Sequence, residues 1–258
     1  MTETPNSGLG MTGGDVVRFW NDCAGSYSAM MQGDIPARVV GYLSDRGILS
    51  PDVDVLEIGS GPGTYSIPLA SASRSVACLD SSQRMLDRLS ASASLKGISN
   101  ITPVLGDWNS FDPPGGYGLC IATLCPGSGS PDSIMRMERA SDGWCALVSW
   151  EINHGDDMTE MVWKRLGKDY DFSVRKSTRV FDWLKDNGRD PVMERFHARI
   201  VTDIPVDELA ARESEVFSAY GVDSDVDGIV RDLVGGDSLH FDNVNTMRLI
   251  VWRSPPDD

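Results

Sequence analysis

Three glycines spaced two residues apart follow an acid-bearing apolar run. VLEIGSGPGTYSIPLA (55–70) carries Glu57, Gly59, Ser60, Gly61 and Gly63. Glycine admits positive φ and lets a ligand approach bare backbone, and the start of a following helix offers free N–H groups at the same spot. That combination grips a small polar ligand. A second piece arrives 17 residues after Gly63, where SVACLD (75–80) ends on Asp80 and runs into Ser81 and Ser82. Alone, such an aspartate reads as a helix cap; beside a glycine loop it reads as part of one binding site. A third piece is Gly106-Asp107-Trp108, a carboxylate next to an indole face. The spacing also excludes an obvious candidate. A dinucleotide fingerprint starting at Gly59 needs its third glycine at position 64, which is Thr64.

These residues need elements to hold them, and the apolar pattern supplies them. Short runs at 53–58, 75–80, 100–107, 117–123 and 144–150 read as strands, each separated from the next by a turn or a helical stripe. Asp34-Ile35-Pro36 opens a helix that ends near Gly47, and Ser130-Pro131 opens another. Strands alternating with helices call for a parallel sheet covered on both faces. After Glu151 the texture changes. Helical patterns at 158–170, 180–186, 206–219 and 224–234 surround strand patterns at 192–202 and 244–252. The reading is a leader at 1–14 without ordered structure, then one domain over 15–258 in which 152–240 carries a substrate lid.

The order Glu57-x-Gly59-x-Gly61-x-Gly63, followed by Asp80 and by Asp107-Trp108, resembles the class I S-adenosylmethionine-dependent methyltransferase family, of the small-molecule, type 11-like kind. The resemblance covers 35–150 and fades beyond. It implies an α/β, Rossmann-like seven-stranded sheet, mostly parallel with the last strand antiparallel, helices on both faces and a helical lid. It implies S-adenosylmethionine as cofactor and S-adenosylhomocysteine as product. By the same resemblance the loop Gly59, Ser60, Gly61 and Gly63 holds the cofactor, with Glu57 acting near its methionine or ribose part through the loop or a water. Asp80, with Ser81 beside it, accepts from the ribose hydroxyls. Asp107 meets the adenine amino group and Trp108 its ring. Leu124, Cys125 and Pro126 lie beside the methionine end. Trp20 and Tyr27 precede the sheet, where related enzymes carry a helix closing over the cofactor.

Elsewhere the chemistry is sparse. His154, after the strand in WEINH, stands at the carboxyl edge where such sheets bind ligands and is the candidate for catalysis or proton transfer. His197 and His240 read as surface residues, and no histidine pair has metal-ligand spacing, so no metal site is expected. Cys125 at a strand exit is a weaker candidate nucleophile, since no histidine or cysteine is near it in sequence. With 38 Asp and Glu against 23 Lys and Arg, the net charge is −15, which repels phosphate backbones. No apolar run is long enough to span a bilayer and no signal peptide is evident. Five cysteines without a CxxC point to a reducing cytoplasm. The expected partner is a small-molecule acceptor rather than nucleic acid or membrane, on a monomer or homodimer. Ten basic and six acidic residues lie between Val162 and Arg199, and Arg175, Lys176 and Arg179 are candidates to receive an anionic acceptor. The rival readings are a non-catalytic module that binds the cofactor or its demethylated product and a nicotinamide-dependent oxidoreductase.

Overall fold

The computed structural model describes residues 13–25, 27, 32–151, 158–167, 176–219 and 221–256. His154 and Arg175 lie outside the described residues, as do positions 1–12 of the expected leader. Positions 13 and 14 already belong to the first helix, α1 (Gly13–Cys23). Next come α2 (Ile35–Asp45), β1 (Asp54–Ile58), α3 (Ser66–Ala72), β2 (Ser75–Asp80), α4 (Gln83–Leu95), β3 (Ile101–Leu105) and β4 (Tyr117–Thr123). A short 3-10 turn, Pro126–Gly129, leads to α5 (Pro131–Ala140), β5 (Ser141–Glu151), α6 (Met158–Arg165) and α7 (Lys176–Asp186). The chain closes with β6 (Val192–Pro205), α8 (Val206–Ala219), α9 (Val226–Val234) and β7 (Ser238–Arg253).

Local chemistry starts and stops these elements where the sequence says it should. Ser82 caps α4, its Oγ accepting from the Met85 N–H at 3.2 Å, and Ser130 caps α5 through the Ser133 N–H with Pro131 at the first helical position. α9 is capped by Asp225 and ends on Gly235 in the left-handed region. The seven strands form one sheet in the order β3-β2-β1-β4-β5-β7-β6. β1 to β5 run parallel, while β7 pairs antiparallel with both β5 and β6.

Period-two alternation then divides the core. Val55, Val76, Cys78, Leu119, Ile121, Ala146 and Val148 pack on one face with α2, α3 and α4. Leu56, Ile58, Leu79, Cys120, Ala122, Cys145 and Leu147 pack on the other with α5 and α7. A third cluster joins α6, α8 and α9 to the Pro205–Ser238 end of the β6–β7 pair, with the Trp163 and Phe217 rings 4.6 Å apart. The β6–β7 pair is longer than its sequence pattern suggests, pairing without interruption from Val192–Val251 to Pro205–Ser238. Strand order reverses between β1 and β4, and this reversal opens a crevice at the carboxyl ends of the strands.

Candidate functional site

A cavity of about 360 Å³ fills that crevice. Its floor is the turn from β1 to α3. Gly59, Gly61 and Gly63 take φ values of +73°, +53° and +97°, a region that L side chains rarely adopt. Two of the three are also sterically fixed. A Cβ at Gly59 would sit 2.6 Å from the Cβ of Cys125, and one at Gly63 would sit 2.5 Å from Leu89 Cδ1. The loop therefore lies flat against β4's exit and α4, leaving bare backbone toward the cavity.

Asp80 closes the side of the site. The Gly61 N–H donates to its Oδ2 at 2.8 Å and the Ser82 N–H to its Oδ1 at 2.8 Å. One carboxylate thus ties the glycine loop to the start of α4 and still lines the cavity with Ser81. Burial raises the Asp80 pKa above the usual carboxylate range, opposed by those backbone N–H bonds.

Glu57 stands behind the loop. It is fully buried, does not line the cavity, and accepts from Ser66 Oγ at 2.5 Å and Thr123 Oγ1 at 2.8 Å, with Cys78 Sγ at 3.8 Å. Burial pushes its pKa up to about 7 despite these donors. Its reach is through the loop, since Thr123 Oγ1 also lies 3.4 Å from the Gly59 carbonyl. Gly63, too, shapes the cavity from behind rather than lining it.

The far wall is Gly106, Asp107, Trp108 and Asn109. Asp107 Oδ1 accepts from the Asn109 backbone and side-chain N–H groups, at 3.0 and 3.1 Å. The Trp108 indole does two things at once: it lines the cavity and it packs in the core, its N–H donating to Ser133 Oγ at 2.7 Å. The Arg136 guanidinium sits 5.6 Å from that ring. Thr123, Leu124, Cys125, Pro126 and Gly127 form the wall after β4. Leu124 has φ +53°, the only non-glycine positive value among the described residues, and its N–H donates to the Val148 carbonyl. A strained residue at a cavity wall is a common mark of a functional site.

The roof is α1, through Val16, Val17 and Trp20, continued by Tyr27 and Gln32. Polar contacts hold it down. Asn21 Oδ1 accepts from Ser82 Oγ at 2.9 Å and the Arg84 N–H at 3.2 Å, and Arg88 donates to the Ala24 and Tyr27 carbonyls. Burial raises the Tyr27 pKa.

The structure thus brings Ser60, Gly59, Gly61, Asp80, Ser81, Asp107, Trp108, Leu124, Cys125 and Tyr27 around one cavity. Sequence reasoning missed Gln32, Asn21, Ser66 and Thr123. Only Ser66 and Thr123 carried a signal, as hydroxyls flanking a buried acid, and the roof residues carried none. His197 is on the exposed face of β6, with its Nδ1 2.8 Å from Thr246 Oγ1, and His240 meets Asp203 at 2.8 Å. Four of the ten basic residues in the segment are committed elsewhere. Arg165, Arg189, Arg195 and Arg199 pair with Asp232, Glu138, Glu151 and Asp242. Arg179 is exposed on α7.

Residues 55–133 match the family model of a methyltransferase domain. Over 132 residues the chain is 27% identical to protein-L-isoaspartate O-methyltransferase 2 of Rhodopseudomonas palustris, a match covering 41% of this chain and 59% of that protein. A candidate methyltransferase of Bacillus halodurans has a similar solved structure, with TM-score 0.55, 13% identity, and coverage of 84% of this chain and 98% of that one. Magnesium protoporphyrin IX methyltransferase of Synechocystis, solved with S-adenosylhomocysteine bound, gives TM-score 0.52 at 16% identity, covering 87% of this chain and 84% of that one. At such identities the solved structures show a shared fold.

Proposed function

We propose that this chain is a class I S-adenosylmethionine-dependent methyltransferase that transfers a methyl group to a small-molecule acceptor by in-line displacement, a reading supported by its motifs and by the methyltransferase-domain model matched over residues 55–133. The observation that carries the reading is Asp80, held by the Gly61 and Ser82 N–H groups on the wall of a cavity floored by the left-handed glycines Gly59 and Gly61. Such a floor fits the cofactor because a side chain at Gly59 would collide with Cys125 and push into the site. When bound, the cofactor supplies a methyl group on a sulfonium, which leaves as a neutral thioether once the acceptor's lone pair takes the methyl carbon. The rest is positioning and exclusion of water, which this chain's residues perform.

In this reading Asp80 accepts from the ribose hydroxyls, and Asp107 with Trp108 takes the adenine. Leu124 and Cys125 border the methyl end. Val16, Val17 and Trp20 cover the site and keep water out. A small acceptor is supported by that apolar roof and by the chain's acidity, which disfavours nucleic acid. Where the acceptor arrives protonated, His154 is the candidate to take its proton; an acceptor that arrives deprotonated needs no base. An anionic acceptor would find fewer free cations than the composition of 162–199 suggests, because four of those arginines are paired.

Calorimetry with S-adenosylhomocysteine tests the site. Asp80→Ala removes two hydrogen bonds to a charged acceptor and should weaken binding about 100-fold. Unchanged affinity would remove the assignment. Incubation with labelled cofactor and a metabolite extract, read by mass spectrometry, should show a methyl-mass gain on a small molecule. A gain confined to an isoaspartyl peptide would place the acceptor among proteins instead.

A further inference from the structure

Beyond the cavity, two buried polar atoms on neighbouring strands have no hydrogen-bond partner among the described residues. They are Ser149 Oγ on β5 and Arg248 Nε on β7, and Ser149 is 7% exposed. The two residues are direct register partners. Leu147, Ile250 and Trp252, on the same side by period-two alternation, pack with the α7 residues Val180 and Leu184, so Ser149 and Arg248 project toward α7 as well. Buried polar atoms are normally satisfied, and an orphan pair in one place marks where a ligand completes the bonding. The rest of the guanidinium is already bonded. Nη1 donates to Ser177 Oγ at 3.2 Å and to Thr178 Oγ1 at 2.9 Å, in the first turn of α7, and Nη2 donates to Glu151. Because both hydroxyls accept from Arg248, their own protons remain for another acceptor. Arg248 Nε and the hydroxyls of Ser149, Ser177 and Thr178 thus offer donors, beside a helix start that favours negative charge.

Charge narrows the ligand further. Glu151 Oε2 also accepts from Arg195 Nε at 2.7 Å, and hydrogen bonds from Arg248 and Arg195 hold its carboxyl down at about 2. One ionised carboxylate therefore faces two guanidiniums, which leaves one positive charge in surplus. A monoanion with two acceptor oxygens matches that surplus, which is the chemistry of a carboxylate. A phosphate monoester, close to dianionic at neutral pH, would exceed it. The place in the fold ties the cluster to the methyl acceptor. Val148, next to Ser149, accepts from the N–H of Leu124, which lines the cavity. α7 packs on the 126–129 turn, whose Pro126 and Gly127 line the same wall. The cluster thus lies on the next strand out from the wall assigned to the methyl end.

We propose that Ser149 and Arg248, with Ser177 and Thr178, form a subsite for a carboxylate on the methyl acceptor, so that the substrate is a small carboxylic acid methylated at another atom. One carboxylate oxygen accepts from Arg248 Nε and Ser149 Oγ, and the other is left for the α7 hydroxyls. This rests on the methyltransferase reading above, and the test separates the two.

Ligand-observed NMR on the full chain, with and without S-adenosylhomocysteine, would titrate acetate and benzoate beside acetamide, benzamide and inorganic phosphate at constant ionic strength. Wild type should bind each carboxylate at least tenfold more tightly than its amide or phosphate. Ser149→Ala removes a hydroxyl that bonds nothing in the free protein, so its melting temperature should not fall, while carboxylate binding should weaken about fivefold. Arg248→Lys keeps the charge but has no Nε, and should lose the preference for carboxylate over amide. Both variants should bind S-adenosylhomocysteine within twofold of wild type. With labelled cofactor and a metabolite extract, wild type should label compounds that a carbodiimide then couples to an amine, which marks a free carboxyl. Ser149→Ala should label them more slowly, again about fivefold. Equal binding of carboxylate and amide by wild type would mean that water completes the orphan pair and would overturn the proposal. So would an unchanged carboxylate affinity in Ser149→Ala, or labelled products without a free carboxyl. A wild type that does not bind S-adenosylhomocysteine would instead overturn the methyltransferase reading, and the acceptor role with it.

Discussion

Glu57 brings a carboxylate to the driest point beneath the glycine loop. Its partners Ser66, Thr123 and Cys78 are all neutral donors, so no cation offsets the cost of burial. The pKa consequently rises to about 7 in the folded chain, against an ordinary value of 4.5. The native state thus holds a proton that the unfolded chain releases. Stability from this group is fully present below about pH 4.5 and is lost as pH rises toward 7, by about 3 kcal/mol in total. Urea denaturation of wild type and Glu57→Gln at several pH values between 5 and 8 checks the sign. Relative to the glutamine variant, wild type should lose stability as pH rises. A difference that stays flat, or that grows in wild type's favour, would mean that Glu57 keeps its ordinary pKa in the fold. Nothing in the string VLEIGSG distinguishes this behind-the-loop role from direct contact with a ligand. The spacing makes Glu57 conspicuous, but which way its side chain turns is decided by Ser66 and Thr123, nine and 66 residues away.

At the scale of elements, the β1–α3 turn is the part most legible in the sequence, because glycine at alternate positions has few other uses. The structure adds the second reason for each glycine. Gly59 is needed for its φ of +73° and for its closeness to Cys125, and the latter contact crosses from β1's exit to β4's. Gly59→Ala should therefore destabilise the fold by about 2 kcal/mol and disturb the cavity together. Gly61 makes the contrast: its φ is +53° but no atom lies within 4 Å of an added Cβ. Gly61→Ala should carry the conformational cost with less steric damage. Thermal melts of the two variants rank them, and an equal loss would show that the Cys125 contact counts for nothing. Other elements were legible in kind but not in length. The third strand pattern ran to 107, yet β3 stops at Leu105, and Gly106 and Asp107 line the cavity instead of pairing. β6 and β7 outrun their patterns because each supplies the other's ladder out to Pro205–Ser238, and the outer half is held by α8 and α9. α1 was legible through Trp20, expected in a helix over the site and found on the cavity roof, while its polar anchors were not. It packs on α8 and α4, and Asn21's bonds to Ser82 and Arg84 join residues more than 60 apart.

For the molecule as a whole, the question is what 15 uncompensated negative charges do to it. Two electrostatic effects oppose one another. Exposed ion pairs such as Arg231 with Asp207 and Asp227, or Arg199 with Asp242, favour the fold and are weakened by salt. Each such exposed pair contributes little to stability. The more shielded pair of Arg189 with Glu138, whose side chains are 22% and 6% exposed, is screened less and keeps its value. Against these stands the mutual repulsion of the acidic excess, which acts over the entire surface and grows on compaction. Repulsion should win. Raising sodium chloride from about 20 to about 300 mM shortens the screening length from about 20 Å to about 6 Å. The melting temperature should then rise by about 2–4 °C, the equivalent of roughly 1 kcal/mol for a chain of this size. A fall would mean that the surface pairs, not the net charge, dominate the balance. The same titration with S-adenosylhomocysteine present separates the site from the surface. If the ligand binds at Asp80 and the glycine loop as proposed, its contacts are buried, and the added shift should change little with salt while the baseline climbs.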